Sequence, residues 1–202
     1  MFSYDICEID GQTYFFYPNG ALGIGWCSWT ETYSDGYSWT YWFYANSSGV
    51  LQNGWQKIGS VWYYFDLDDY DMYCDDWYEI DGKAYYFDRS GKMCTGWCSY
   101  SESYPDGYSW TEWYYANSSG VLQTGWQWIG GVWYYFNPEY YYMYTGVKKI
   151  GEETHAFDSN GAWLENKRGW LEVKNGSDTT WYYILPDGTG ATGWQTINGA
   201  KY

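Results

Sequence analysis

Aliphatic side chains are scarce in this sequence. Leucine, isoleucine and valine together supply only 22 of its 202 residues. So low a content, combined with a net charge of −15, is typical of disordered chains. The sequence compensates with 28 tyrosines and 17 tryptophans, each of which can bury a large apolar area. We therefore expect a folded chain whose interior is aromatic instead of aliphatic.

Long apolar runs and basic residues are also missing. No stretch of 18 apolar residues occurs, which excludes a transmembrane helix. The first residues contain neither the basic nor the apolar part of a signal peptide, so we expect none in this sequence. Lysine and arginine number 10 against 25 acidic residues, a balance that disfavours nucleic acid and anionic membranes as partners. It suits a cationic ligand or simply keeps the chain soluble.

Side chains for catalysis and metal binding are few. His155 is the only histidine, so no Ser-His-Asp or Cys-His site is expected, and we predict a chain that is not an enzyme and needs no cofactor. The acidic segment 66–76 lacks the spacing, the glycine and the terminal glutamate of an EF-hand, so no metal site is predicted. The five cysteines show no zinc-site spacing, and one disulfide, for example Cys74 with Cys94, is one arrangement among several.

Internal repeats dominate the organisation of the chain. The pair Gly-Trp recurs every 20 to 29 residues, with degenerate copies at Asp76-Trp77 and Gly146-Val147. Residues 25–65 match residues 96–136 at 32 of 41 positions, so a longer period of 71 residues lies above the short one. The spacing predicts about nine units that start near residues 5, 25, 54, 76, 96, 125, 146, 169 and 193.

Each unit has the pattern of a β-hairpin. In residues 54–65, two aromatic or β-branched runs flank the two-residue turn Gly59-Ser60, and other units carry the Asp-Gly or Asn-Gly pairs that favour tight hairpins. A lone hairpin is marginal in water, so neighbouring hairpins must cover one another. We predict an all-β fold, a solenoid of stacked β-hairpin repeats that forms a single array over residues 1–202. Because the sequence stops within a second strand, we expect a fragment of a longer protein.

One sequence motif recurs in these units: Gly-Trp-Gln-x-Ile-x-Gly-x-x-Tyr-Tyr-Phe-x-x-x-Gly. It resembles the cell-wall-binding repeats of Gram-positive surface proteins. This family includes choline-binding modules, the glucan-binding repeats of glucosyltransferases and the repeats of large clostridial toxins. The resemblance implies a hairpin solenoid with ligand pockets between successive hairpins. It also implies a non-catalytic module on the secreted or cell-surface side of a Gram-positive bacterium, in its cell wall, joined to other domains of a parent protein.

Aromatic side chains are the candidate ligand-binding residues. A quaternary ammonium group offers no hydrogen bond, so proteins hold it against ring faces. The choline-binding branch implies a cage of two tryptophans from one hairpin and an aromatic ring from the next. Trp55 and Trp62 match the first two positions, with Tyr85 or Tyr86 as the third wall. The other candidates are Trp126 and Trp133, for which the degenerate next unit offers His155, and, with a poorer match, Trp77 with Tyr85 and Trp170 with Trp181.

Two further hypotheses remain open besides choline of teichoic acid. A glucan would stack on one ring and form hydrogen bonds with polar side chains such as Gln56, Gln127 and Gln195. Strand alternation, however, places Gln56 on the opposite face of the strand from Trp55. The two long units are the 29-residue ones that start near residues 25 and 96. Their aromatic residues could line a second type of sugar site: Tyr33, Tyr37, Trp39, Tyr104, Tyr108 and Trp110. The third hypothesis is a structural stalk or protein-adhesion surface, in which every aromatic residue only packs.

Overall fold

The computed structural model describes residues 5–165, 168–175, 178–186, 190–191 and 193–202. Within these residues the chain forms eighteen β-strands that pair as nine two-stranded antiparallel hairpins. The strands are β1 (Asp5–Ile9), β2 (Gln12–Phe16), β3 (Gly25–Thr32), β4 (Ser38–Ala45), β5 (Gly54–Ile58), β6 (Val61–Phe65), β7 (Asp76–Ile80), β8 (Lys83–Phe87), β9 (Gly96–Ser103), β10 (Ser109–Ala116), β11 (Gly125–Ile129), β12 (Val132–Phe136), β13 (Gly146–Ile150), β14 (Glu153–Phe157), β15 (Gly169–Asn175), β16 (Asp178–Ile184), β17 (Thr196–Ile197) and β18 (Ala200–Lys201).

The hairpins fall into two compact units. Unit 1 spans Met1–Cys94 and holds the four hairpins from β1 to β8, and unit 2 spans Thr95–Tyr202 and holds the other five. Within each unit, successive hairpins stack on one another. These paired strands confirm the predicted fold class, an all-β solenoid of stacked hairpins. No helix in the described part of the chain is long and apolar enough to span a membrane.

The tight turns follow the sequence signals. Asp10, Asp81 and Asn198 adopt positive φ values of 53°, 51° and 52°, and each is followed by a glycine that also has a positive φ. Two successive positive φ values define the type I′ turn, whose twist matches that of paired strands. The Asp-Gly and Asn-Gly pairs therefore close these hairpins as predicted.

Within each unit, a recurring backbone hydrogen bond joins hairpins to the ones before them. After the second strand of these hairpins the chain folds back and forms a bridge, as between Phe87 and Met93. The N–H of Met93 then donates to the carbonyl of Trp62 in the preceding hairpin, at 2.8 Å. Trp163 donates in the same way to the carbonyl of Trp133, at 2.8 Å. This bond fixes which side chains of neighbouring hairpins meet.

The interior is aromatic, as the composition predicts. Among the described residues, five phenylalanines have no exposed surface, and each ends or nearly ends the second strand of a short hairpin: Phe15, Phe65, Phe87, Phe136 and Phe157. In both long hairpins alanine takes the final strand position, and Phe43 and Tyr114 fill the core two residues earlier. The seam between hairpins thus replaces a central aliphatic core.

The disulfide suggested from the sequence, Cys74 with Cys94, is wrong. Cys94 is disulfide-bonded, whereas Cys74 is a free thiol. The Cys74 side chain packs as a small apolar group against the cluster of Tyr63, Phe65 and Met72. Burial, followed by nearby carboxylates, raises the pKa of this thiol.

Candidate functional site

The hairpin β5–β6 presents two indoles on one face. Trp55 lies opposite Tyr64 in the strand register, and Trp62 lies opposite Lys57, so strand alternation points these four side chains to the same side. The ring centroids of Trp55 and Trp62 are 6.2 Å apart and the ring planes are nearly perpendicular, at 89°. Trp62 keeps 40% of its surface exposed. The pair predicted from the sequence therefore forms two walls of an open corner.

The next hairpin supplies a third ring. Tyr85 on β8 lies 4.7 Å from Trp55 between centroids, at an interplanar angle of 70°. The alternative, Tyr86, is only 3% exposed and lies opposite Trp77 within its own hairpin. We call this arrangement a cage, meaning two tryptophans of one hairpin plus the ring that the next hairpin brings to the first of them, and we name each cage after its first tryptophan.

The second predicted pair forms a cage with a different third wall. Trp126 and Trp133 repeat the geometry, at 6.3 Å and 89°. His155 lies 5.1 Å from Trp126, at 79°. A fourth ring, which the sequence analysis missed, is that of Trp163, 4.9 Å from Trp126 and 5.8 Å from His155. Trp163 holds the bridge position that Met93 has in the Trp55 cage.

Both long hairpins carry cages that the sequence analysis also missed. Trp26 and Trp42 lie 6.4 Å apart at 80°, with Tyr63 of the next hairpin 4.9 Å from Trp26. In unit 2, Trp97 lies 6.4 Å from Trp113 and 4.9 Å from Tyr134 of the next hairpin. A signal was available, since the second tryptophan always stands three residues before the end of its strand.

The remaining predicted residues differ in their surroundings. The hairpin of Trp77 has Ala84 at the place of the second indole, and Tyr85 belongs to the Trp55 cage. Trp181 holds the second-indole place beside Trp170 in the register of β15 and β16 and is 56% exposed. Tyr202, which the sequence analysis did not consider, lies 5.1 Å from Trp170 and supplies the third ring.

The cages are suited to a cation without hydrogen-bonding groups. Aromatic faces carry negative electrostatic potential, and two further rings lie 6.2 and 4.7 Å from the Trp55 ring at steep angles. A cation already lies over one of these rings, because the Lys57 ammonium is 5.7 Å from the Trp62 centroid. In the Trp126 cage, Trp128 replaces this lysine opposite Trp133.

The glutamines considered as sugar ligands have local partners. Gln56 Nε2 donates to the carbonyl of Asn53, and Gln127 Nε2 donates to that of Thr124, each at 2.8 Å. Both side chains lie on the face opposite the repeat tryptophan. They fix the chain before the first strand of the hairpin.

The long hairpins also line two depressions, the second of which includes Trp113 of the Trp97 cage. One is an open cleft at the tip of β3–β4, lined by Tyr33, Ser34, Asp35, Tyr37, Trp39 and Tyr41. The other is a groove of about 450 Å³ along β10, where Trp110, Thr111 and Glu112 lie across from Tyr142 and Lys148. Rings, hydroxyls and both signs of charge in one groove are suited to a polyhydroxylated ligand.

In the acidic segment 66–76, the Asp66 carboxylate accepts hydrogen bonds from the turn that the segment itself forms. Asp66 Oδ1 accepts the backbone N–H groups of Asp68 and Asp69, at 2.8 and 2.9 Å, and Tyr73 donates its hydroxyl to Asp66 Oδ2. The two backbone bonds are the main reason that the pKa of Asp66 is lowered. Among the described residues, no group of three or more histidine, cysteine or acidic side chains could hold a metal ion.

Comparison with known proteins relates these hairpins to a family of repeats. The family described as a cell wall binding repeat matches residues 53–68, 75–93, 111–122, 124–139 and 192–202. Glucosyltransferase-S of Streptococcus mutans serotype c is 31% identical over 161 residues, which are 79% of this chain and 10% of that protein. Glucosyltransferase-I of Streptococcus downei is 27% identical over 214 residues, 96% of this chain and 12% of that protein.

Solved structures share the arrangement. CbpF in complex with ipratropium superposes with a TM-score of 0.62 at 26% identity, over 95% of this chain and 60% of that one. CbpJ from Streptococcus pneumoniae gives a TM-score of 0.56 at 29% identity, over 97% of this chain and 70% of that one. The chain spans about a tenth of the length of the two glucosyltransferases and 60% of CbpF.

Proposed function

We propose that this chain, which is similar to the cell wall binding repeats, is a non-catalytic module that attaches a Gram-positive surface protein to choline of cell-wall teichoic acid. The observation that supports this function is the cage, in which two nearly perpendicular indoles meet a third ring from the next hairpin. The same geometry recurs around Trp26, Trp97 and Trp126. The module would act at the cell surface, secreted with the other domains of a longer protein.

The charge and the repetition both favour such a ligand. A net charge of −15 attracts cations and raises their local concentration at the surface. A single cage gains roughly 1 to 2 kcal/mol for each well-placed cation–π contact, which is modest. A polymer that carries many choline groups can engage several cages at once, so its avidity exceeds single-site affinity by orders of magnitude.

A site-resolved titration tests the proposal. In protein labelled with 5-fluorotryptophan, each indole gives its own ¹⁹F resonance, and choline chloride is titrated against matched sodium chloride. We expect saturable shifts for the cage tryptophans and none for Trp39, which lies outside the cages. Trp62→Ala should weaken choline binding at the Trp55 cage about 5- to 30-fold, and the matched variant Trp39→Ala should leave it intact. Absence of any saturable shift up to tens of millimolar choline would refute the proposal.

A glucan is the second candidate ligand, and the groove along β10 is the observation that favours it. This groove combines the Trp110 ring with hydroxyl, carboxylate and ammonium groups, and the similarity to two glucosyltransferases supports it. Dextran would then perturb Trp110, and Trp110→Ala would abolish that binding while leaving choline binding unchanged. The reverse pattern, dextran binding lost in Trp62→Ala alone, would count against the groove.

A further inference from the structure

We infer that His155 makes the Trp126 cage a pH-dependent cation site, which accepts a quaternary ammonium ligand while the imidazole is neutral and rejects it once the imidazole is protonated. This inference rests on the proposed function, because it requires that the cages bind cations. It adds a difference in charge to cages that share the same pair of indoles.

The position of His155 makes it a wall of the cage. Its ring lies 5.1 Å from Trp126 at 79°, against 4.7 Å and 70° for Tyr85 in the Trp55 cage. Tyr63 and Tyr134 hold the same place in the cages of the long hairpins. The His155 side chain is only 15% exposed. Its charge would therefore face the ligand directly, with little water between them.

The two protonation states have opposite effects on a cationic ligand. A neutral imidazole is an aromatic ring that can line a cage, whereas the protonated ring carries a full positive charge and attracts no cation. Histidine changes charge between pH 5 and 8, while tyrosine stays neutral throughout that range. The apparent affinity follows the fraction of protein in the competent, neutral state. Below the midpoint of the imidazole titration, we expect affinity to fall about tenfold for each pH unit.

Two charged side chains face His155, and they oppose each other. The Glu153 carboxylate on the same strand lies 3.5 Å from Nε2. Lys148, which carries the opposite charge, lies directly opposite His155 on β13. The other contacts are the uncharged indoles of Trp126 and Trp163. Lys149 and Glu152, at the hairpin end, pair with each other at 3.4 Å.

The test compares two cages in one molecule. Tetramethylammonium is titrated into 5-fluorotryptophan-labelled protein at pH 8 and pH 5.5 and constant ionic strength, with the Trp126 and Trp55 resonances assigned by substitution to phenylalanine. The expected result is loss of affinity at the Trp126 cage alone. His155→Tyr should remove the pH dependence, and Tyr85→His should introduce it at the Trp55 cage. If His155→Tyr fails to fold, His155→Phe and Tyr85→His still test whether the histidine causes the pH dependence.

The outcomes separate the two proposals. Equal affinity at both pH values in the Trp126 cage, with normal binding at the Trp55 cage, overturns the inference alone. No binding at either cage at pH 8 overturns the proposed function and this inference with it. If Glu153→Gln removes the pH dependence and His155→Tyr does not, the carboxylate is responsible and the inference is wrong.

Discussion

Alanine substitutions at Trp55 and Trp62 separate packing from ligand binding within one cage. Trp55 is enclosed by rings, with centroids 5.2 Å from Tyr64, 4.7 Å from Tyr85 and 5.8 Å from Phe87. Trp62 is 40% exposed and contacts Trp55 edge-on at 6.2 Å. Trp55 thus belongs to both the packed seam between hairpins and the cage, whereas Trp62 belongs mainly to the cage.

The expected losses of stability differ severalfold. Trp55→Ala removes a packed aromatic side chain, and such truncations lower the free energy of unfolding by roughly 3 to 5 kcal/mol. Trp62→Ala removes one aromatic pair, worth roughly 0.5 to 1.5 kcal/mol, from a partly solvated position. At the ligand, each variant loses one cation–π wall of roughly 1 to 2 kcal/mol, which corresponds to about a 5- to 30-fold weaker affinity for choline.

Urea denaturation followed by circular dichroism measures stability, and ¹⁹F titration with choline measures affinity. The stalk hypothesis, in which the rings only pack, predicts no choline binding in any variant. The division between seam and cage is refuted if Trp62→Ala destabilises the protein as much as Trp55→Ala does. It is equally refuted if the Trp55 cage binds choline at full affinity without the Trp62 ring.

Three further predictions follow from close contacts and charges. Gly91→Ala places a Cβ against the Met72 side chain at a φ of +76°, so urea denaturation should show a larger loss of stability than for Gly59→Ala, where φ is +65° and the space is open. Burial, then a hydrogen bond to a carboxylate, raises the pKa of Tyr73 to about 12 from its ordinary 10; its contribution to stability should be intact below pH 10 and lost as pH rises through 12, and absorbance at 295 nm during the pH titration would contradict this if Tyr73 ionised near 10. Lys57→Gln removes an ammonium 5.7 Å from an indole of the cage; at a separation of roughly 7 Å in water this repulsion is roughly 0.6 kcal/mol, so choline affinity should rise about two- to threefold at low salt and less at high salt.

The candidate site was only partly predictable from the repeat pattern. Trp55 and Trp62 are seven positions apart in sequence, and the motif alone identifies them. Trp26 and Trp42 make the same corner but are 16 positions apart, because the long arms of their hairpin intervene. Counting back from the end of the second strand, instead of forward from the first, would have found them.

The third wall of each cage was harder still to predict from the sequence. Tyr85 and Tyr86 are adjacent and chemically identical, so only the face of β8 that turns toward the preceding hairpin distinguishes them. Trp163 lies beyond the end of a hairpin and reaches the Trp126 cage through a bridge to Phe157. A repeat pattern defines positions within one hairpin, whereas these contacts join two.

The local structure of the hairpins follows from short stretches of sequence. Asp-Gly and Asn-Gly pairs dictate tight turns, alternating rings dictate strands, and the scarcity of aliphatic residues dictates an aromatic seam, because each of these properties depends on near neighbours in the chain. Only the tertiary structure decided which ring faces which. Within each unit, the bonds that bridge residues such as Met93 and Trp163 donate to the preceding hairpin set the register between hairpins, and that register turns repeated tryptophans into cages with tyrosine or histidine as the third wall.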